Sequence, residues 1–168
     1  MKVIGIIPAR YSSNRFPGKP LANILGKSMI QRVYEQCKKC TLLDDVIVAT
    51  DDKRIYNHVL EFGGKIMMTS TTHQSGTDRC NEVIQNIEEQ YDIAINIQGD
   101  EPFINPKQID QVTSLFNSDK VSIATLAKKI EDEILLTDEN SPKAIFDENG
   151  IALNFCRTIP KYSTEKDY

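Results

Sequence analysis

Three cations, Arg10, Arg15 and Lys19, fall within ten residues near the N-terminus. They sit in the stretch Pro8-Ala9-Arg10-Tyr11-Ser12-Ser13-Asn14-Arg15-Phe16-Pro17-Gly18-Lys19-Pro20, where Ser12, Ser13 and Asn14 add small donors and the prolines and Gly18 restrict the backbone. A loop of that composition can wrap an anion with side chains and amides together, and a polyphosphate is the first expectation. The same residues are equally compatible with a solvated surface loop. Two further polar clusters could complete a site: His73-Gln74-Ser75-Gly76-Thr77-Asp78 and Gln98-Gly99-Asp100-Glu101-Pro102. Cations for phosphate together with a carboxylate for Mg²⁺ are what nucleotidyl transfer needs, because magnesium takes oxygen ligands from one or two carboxylates and from the substrate's phosphates. Positioning and charge neutralisation then carry the reaction. Asp100 is the best candidate ligand, since Gly99 lets backbone and ion come close. Asp100 as a turn cap, Gln98 as a backbone-tethering amide, His73 as a structural loop residue, and Asp51 and Asp52 as turn and cap residues are the simpler readings of the same positions.

All three clusters need elements to hold them. Val3-Ile4-Gly5-Ile6-Ile7 is apolar without alternation and ends at a proline, which predicts a parallel strand buried on both faces. The basic loop is then at a strand's carboxyl end, where open α/β sheets bind ligands. Ser28 caps a helix whose Met29, Ile30, Val33, Tyr34 and Cys37 follow the helical period. Strands are predicted at 46–50, 65–69, 92–97 and 121–127, with helices opening after Asp52, at Asp78 and at Asn105-Pro106. Residues 144–147 and 151–155 flank Glu148-Asn149-Gly150 and read as a hairpin. The expected fold is Rossmann-like α/β: one mostly parallel sheet with an added β-hairpin, in a single domain whose residues 1–130 bind nucleotide and whose residues 143–157 form an accessory sheet.

Composition removes several classes. Twenty Lys and Arg against 24 Asp and Glu leave a net charge of −4, so nucleic acid is not an expected partner. No apolar run approaches the ~20 residues of a membrane span and no leader pattern precedes the first strand, which predicts a soluble cytoplasmic protein. Cys37 and Cys40 form a Cys-x-x-Cys, but no second pair stands at zinc spacing, and with Cys80 and Cys156 they read as reduced thiols. Gly26-Lys27-Ser28 mimics the end of a Walker A loop, yet Leu21 stands where its first glycine belongs. No Gly-x-Gly-x-x-Gly follows a strand, and neither a serine nucleophile elbow nor zinc-protease spacing occurs.

Taken together and in order, Pro8 to Leu21, Val48-Ala49-Thr50-Asp51, His73-Gln74-Ser75-Gly76-Thr77-Asp78-Arg79, Asn96-Ile97-Gln98-Gly99-Asp100-Glu101-Pro102 and the hairpin resemble the 3-deoxy-manno-octulosonate (Kdo) cytidylyltransferase family of lipopolysaccharide-producing bacteria. The resemblance implies a three-layer nucleotide-diphospho-sugar transferase fold and the reaction CTP + Kdo → CMP-Kdo + pyrophosphate. It implies that Arg10 and Lys19 hold the CTP phosphates, that Pro8 and Ala9 offer backbone to the nucleotide, and that Ser13 lines the same loop. Gln74, Ser75, Gly76 and Thr77 would approach the cytidine. Asp100 would bind Mg²⁺, and Arg15 and Gln98 would serve the sugar acid. A homodimer is implied as well. The family continues well beyond the hairpin, so much of the Kdo pocket, a second metal carboxylate and part of the subunit contact are expected to be missing from these 168 residues. The related alternatives are a CMP-sialate-type or other sugar nucleotidyltransferase and a non-catalytic nucleotide-binding domain.

Overall fold

The apolar run predicted as a buried strand is β1 (Val3–Ala9) in a computed structural model that describes residues 1–12 and 16–158. Its side chains alternate between two cores. Val3, Ile7 and Ala9 face one, and Ile4 and Ile6 face the other. Both sets are buried, which explains why the strand shows no polar alternation. β1 lies between β4 (Asp45–Thr50) and β6 (Ile93–Asn96), with β5 (Ile66–Met68) beyond β4, giving a four-stranded parallel sheet in the order β5-β4-β1-β6. The register pairs Ile6 with Ile47 on one side and with Asn96 on the other.

Three helices cover one face: α1 (Met29–Cys37), α2 (Lys53–Glu61) and α4 (Pro106–Ser114) bury Ile30, Val33, Ile55, Val59, Ile109 and Val112 against it. The opposite face is covered by α3 (Gly76–Asn86) through Cys80 and Val83. Each helix starts where its cap dictates. Ser28 Oγ accepts the Gln31 amide at 3.2 Å and also meets His58 Nε2 of α2 at 2.7 Å, so one hydroxyl ties two helices. Asp52 accepts from the Arg54 amide, and Asn105 from that of Lys107. α3 opens two residues before the expected Asp78: Ser75 is its cap, and Asp78 is the third residue of a reciprocal capping box.

Two differences from the sequence reading concern strands. The stretch 121–127, expected to be a fifth strand, pairs with no strand among the described residues, and Ile123 is 92% exposed. Strand-like composition measures fit to a pleated surface and cannot supply a pairing partner. Conversely, β2 (Asn23–Ile24) and β3 (Lys27–Ser28) form a small antiparallel hairpin whose turn places Leu25 and Gly26 at φ +50° and +85°. The Walker-like Gly26-Lys27-Ser28 is therefore a hairpin turn leading into a helix cap.

Residues 125–158 belong to a second compact unit. It holds a short helix, α5 (Glu133–Thr137), and an antiparallel hairpin of β7 (Lys143–Phe146) and β8 (Ala152–Cys156), as expected at 144–155. Lys143 is 3% exposed, and its Nζ donates to the carbonyls of Asp138 and Arg157. Among the described residues no helix is long and apolar enough to cross a membrane. All four cysteines are free, and burial pushes the thiols of Cys37, Cys40 and Cys80 up to about 12, 11 and 11. They are protonated packing groups.

Two predictions follow from these joints. Ser28→Ala removes a cap and strands His58 Nε2; urea denaturation is expected to show a loss of about 1–2 kcal/mol. Asp110 of α4 accepts the amides of Thr41 and Leu42 and the Thr41 hydroxyl, which outweigh its desolvation and hold its carboxyl below the usual range. A carboxylate with a lowered folded-state pKa contributes fully above its unfolded pKa of about 3.9 and loses that contribution as pH falls through the folded value. The stability gap between wild type and Asp110→Asn should therefore be full above about pH 5 and narrow as the pH falls through about 3.9 and below in equilibrium melts.

Candidate functional site

The strand order fixes where a ligand can enter. From β1 the chain moves outward to β4 and β5, then returns by α3 to place β6 on the other side of β1. The strand order thus reverses between β1 and β6, and the carboxyl ends of strands at such a switch point are where open α/β sheets bind ligands. A cavity of about 690 Å³ lies there, a size suited to a nucleotide. Pro8, Ala9, Arg10, Phe16, Lys19 and Pro20 line it from the first loop, His73 to Gly76 with Arg79 from the start of α3, and Gln98 to Asp100 from the loop after β6.

Two glycines make this convergence possible. A Cβ on Gly99 would stand 2.9 Å from the Pro8 carbonyl oxygen, and one on Gly76 would stand 3.2 Å from Pro8 Cγ. The two loops close on Pro8 from different sides only because neither carries a side chain there. At the base of the basic loop, the Gly18 amide donates to the Tyr11 carbonyl at 2.9 Å. Gly18 has φ +70°, and the guanidinium of Arg54, on α2, lies 3.3 Å from the Tyr11 ring centroid. Lys19 follows at the start of a short 3-10 turn, Lys19–Leu21.

The charged groups are poised differently. Arg10 is exposed and has no ion pair with any other described residue. Lys19 Nζ donates to Asp100 Oδ2 at 2.6 Å, with both side chains at least a third exposed. An exposed pair of this kind contributes only about 0.2–1 kcal/mol, so an incoming ligand can separate it. Gln98 lines the cavity with its amide turned toward Asn96 Oδ1 at 3.5 Å. Thr77 is exposed one residue into α3 and does not line the cavity, since each helical step turns the side chain by about 100°. Ser13 and Arg15 lie outside the described residues. His73 is engaged by Glu82, the structural loop role its type suggested.

Sequence reading singled out no role for the wall beneath these residues. Arg79 is 3% exposed and donates to Asp51 Oδ2 at 2.8 Å and to Thr69 Oγ1, joining α3 to the ends of β4 and β5. A polar residue after each of two strands, with an arginine in the following helix, was the available signal. As a metal site the cavity offers Asp100; among the described residues no group of three His, Cys, Asp or Glu could hold an ion unaided. That donor set fits an ion such as Mg²⁺ that takes its other ligands from substrate phosphates and water.

Known proteins resemble both the sequence and this arrangement. The cytidylyltransferase family model matches residues 4–167. The 3-deoxy-manno-octulosonate cytidylyltransferase of Parabacteroides distasonis is 54% identical over 100% of this chain and 68% of its own length, and that of Thermodesulfovibrio yellowstonii is 48% identical over 99% and 68%. A solved structure of CMP:2-keto-3-deoxy-manno-octonic acid synthetase complexed with CTP superposes with a TM-score of 0.84 at 37% identity, covering 96% of this chain and 68% of that one. Sequence, fold and site thus agree, and the chain belongs to the 3-deoxy-manno-octulosonate cytidylyltransferases of the cytidylyltransferase family.

Proposed function

We propose that this site transfers CMP from CTP to the anomeric hydroxyl of Kdo, releasing pyrophosphate and serving lipopolysaccharide synthesis. The observation that carries the reading is the meeting of Arg10, Lys19 and Asp100 around one switch-point cavity walled on another side by Gln74, Ser75 and Gly76. The sugar hydroxyl attacks the α-phosphorus; the P–O bond to the bridging oxygen breaks, and pyrophosphate leaves with that oxygen. Arg10 and Lys19 hold the triphosphate, and Lys19 exchanges Asp100 for a phosphate oxygen as the nucleotide enters. Pro8 and Ala9 border the nucleotide with backbone, Gln74, Ser75 and Gly76 approach the cytidine, and Gln98 faces the sugar acid. Ser13 and Arg15 belong to the same basic loop. Asp100 holds Mg²⁺, which when bound neutralises phosphate charge and favours ionisation of the attacking hydroxyl.

The reading extends to a homodimer working in the cytoplasm. Exposed apolar residues of the hairpin, Leu153 and Phe155 of β8 among them, support buried partner surface.

Pyrophosphate release that requires CTP, Kdo and Mg²⁺ together tests the reaction; normal CTP binding without any release from the whole protein would refute it. Arg10→Ala and Lys19→Ala should each weaken CTP binding by about tenfold or more in isothermal titration, one charge-assisted contact being worth about 1.5–3 kcal/mol. Asp100→Ala should bind CTP with an affinity that no longer responds to Mg²⁺.

A further inference from the structure

We propose that Arg79 and Glu82 are positioning residues for the nucleotide, holding the connection 69–75 between β5 and α3 in the shape that lets Gln74 and Ser75 wall the cavity. The inference rests on the nucleotide-site reading above. The sheet's own hydrogen bonds reach only the first residue of this connection, where the Thr69 amide donates to the Thr50 carbonyl at 2.8 Å. Beyond that point the connection has local bonds of its own, from the Thr72 amide to Ser70 Oγ at 3.1 Å and from Gln74 Nε2 to the Thr72 carbonyl at 3.2 Å, and is tied to the rest of the fold by side chains of α3. Arg79 reaches back to Thr69 Oγ1 and, at 2.8 Å, to Asp51 Oδ2. Glu82 Oε2 accepts the Ser70 amide at 2.8 Å and pairs with His73 Nε2. Asp78 closes the far end by accepting the Ser75 amide at 3.1 Å. Arg79 and Glu82 are three residues apart and so share one helix face.

The two clamps differ in burial. The Arg79 and Asp51 side chains are 4% and 17% exposed, and those of Glu82 and His73 are 25% and 19% exposed. A desolvated Arg–carboxylate pair stabilises little in net terms against an apolar substitute, and its best-attested benefit is fixing one arrangement among several. Here it fixes Thr69 and Asp51, the residues that follow β5 and β4, against the helix that opens the site. Hydrogen bonds from the Ser70 amide and then from His73 hold the Glu82 carboxyl below its usual range, as expected of a permanently ionised acceptor. Cys80 and Val83 anchor α3 to the sheet from the core, and Arg79 adds a tie to the residues after β4 and β5, whereas Glu82 bonds only to Ser70 and His73 of the connection. Changing Glu82 therefore frees the connection while leaving the helix in place.

The test uses the whole enzyme. Glu82→Ala and Arg79→Lys should each raise the KM for CTP by about tenfold, with kcat at saturating CTP within about threefold of wild type. Lysine lacks the fork that spans Thr69 and Asp51 together. Glu82→Gln still accepts the Ser70 amide and can donate to His73, so it should restore near-wild-type KM. Thermal melts of all three variants separate loop effects from unfolding. Unchanged KM in both Glu82→Ala and Arg79→Lys, or a loss of kcat in step with melting temperature at constant KM, would overturn the proposal. Direct CTP titration of the same variants reads positioning even if Kdo proves not to be the acceptor, so failure of the reaction assignment shows in the wild type and failure of the clamp only in the variants.

Discussion

Close packing of three backbone segments around Pro8 is the constraint on which the site depends. Ile6 turns its carbonyl toward β6, where it accepts the Ile97 amide at 2.9 Å. Two residues further on, Pro8 faces the same side after the β6 ladder has ended, so its missing N–H leaves no sheet bond unmade. Gly99 packs against the Pro8 carbonyl and Gly76 against its ring. A methyl group at Gly99 would have to displace backbone, which cannot swing aside as a side chain can. The cavity's width is thus set at the end of the central strand, and its cations and carboxylate inherit their spacing from that contact.

The parts of this architecture written in local pattern could be read directly. β1 showed itself because a strand buried on both faces loses its alternation. Asn105-Pro106 announced α4 because a capping side chain and a fixed φ are properties of those residues alone. Ser75 and Asp78 were harder, since both are good caps and only the fold decides which amide each receives. Residues 121–127 misled because pairing is a relation between segments. Arg79 was hard to read as a wall residue for the same reason: its partners lie 10 and 28 residues away, and a polar residue after each strand does not by itself say that the ends of β4 and β5 meet on one guanidinium. Family resemblance supplied what pattern could not, the identity of the nucleotide and the sugar.

Charge is distributed here by how firmly it must be held. The pair that shapes the wall, Arg79 with Asp51, is nearly dry, while the pair that faces the cavity, Lys19 with Asp100, is wet. Removing one member of a dry pair leaves a charge without solvent or partner, a cost of several kcal/mol that makes the arrangement rigid. A wet pair can be exchanged for a ligand at little cost. The wall therefore stays fixed and the groups that meet substrate remain free to change partners.

That last contact has a thermodynamic consequence. A phosphate taking Lys19 by itself leaves Asp100 without its counter-charge, and a cation taking Asp100 by itself does the same to Lys19. A metal–nucleotide complex parts the pair once and satisfies both ends. Under the proposed reading, metal and nucleotide are therefore positively linked through a single broken ion pair, and each raises the affinity for the other by the same factor. With the exposed pair worth at most about 1 kcal/mol, this contact contributes no more than about a fivefold share of that linkage. The ligand-free pairing of Lys19 with Asp100 thus acts as a mild filter that favours the loaded nucleotide over either component alone.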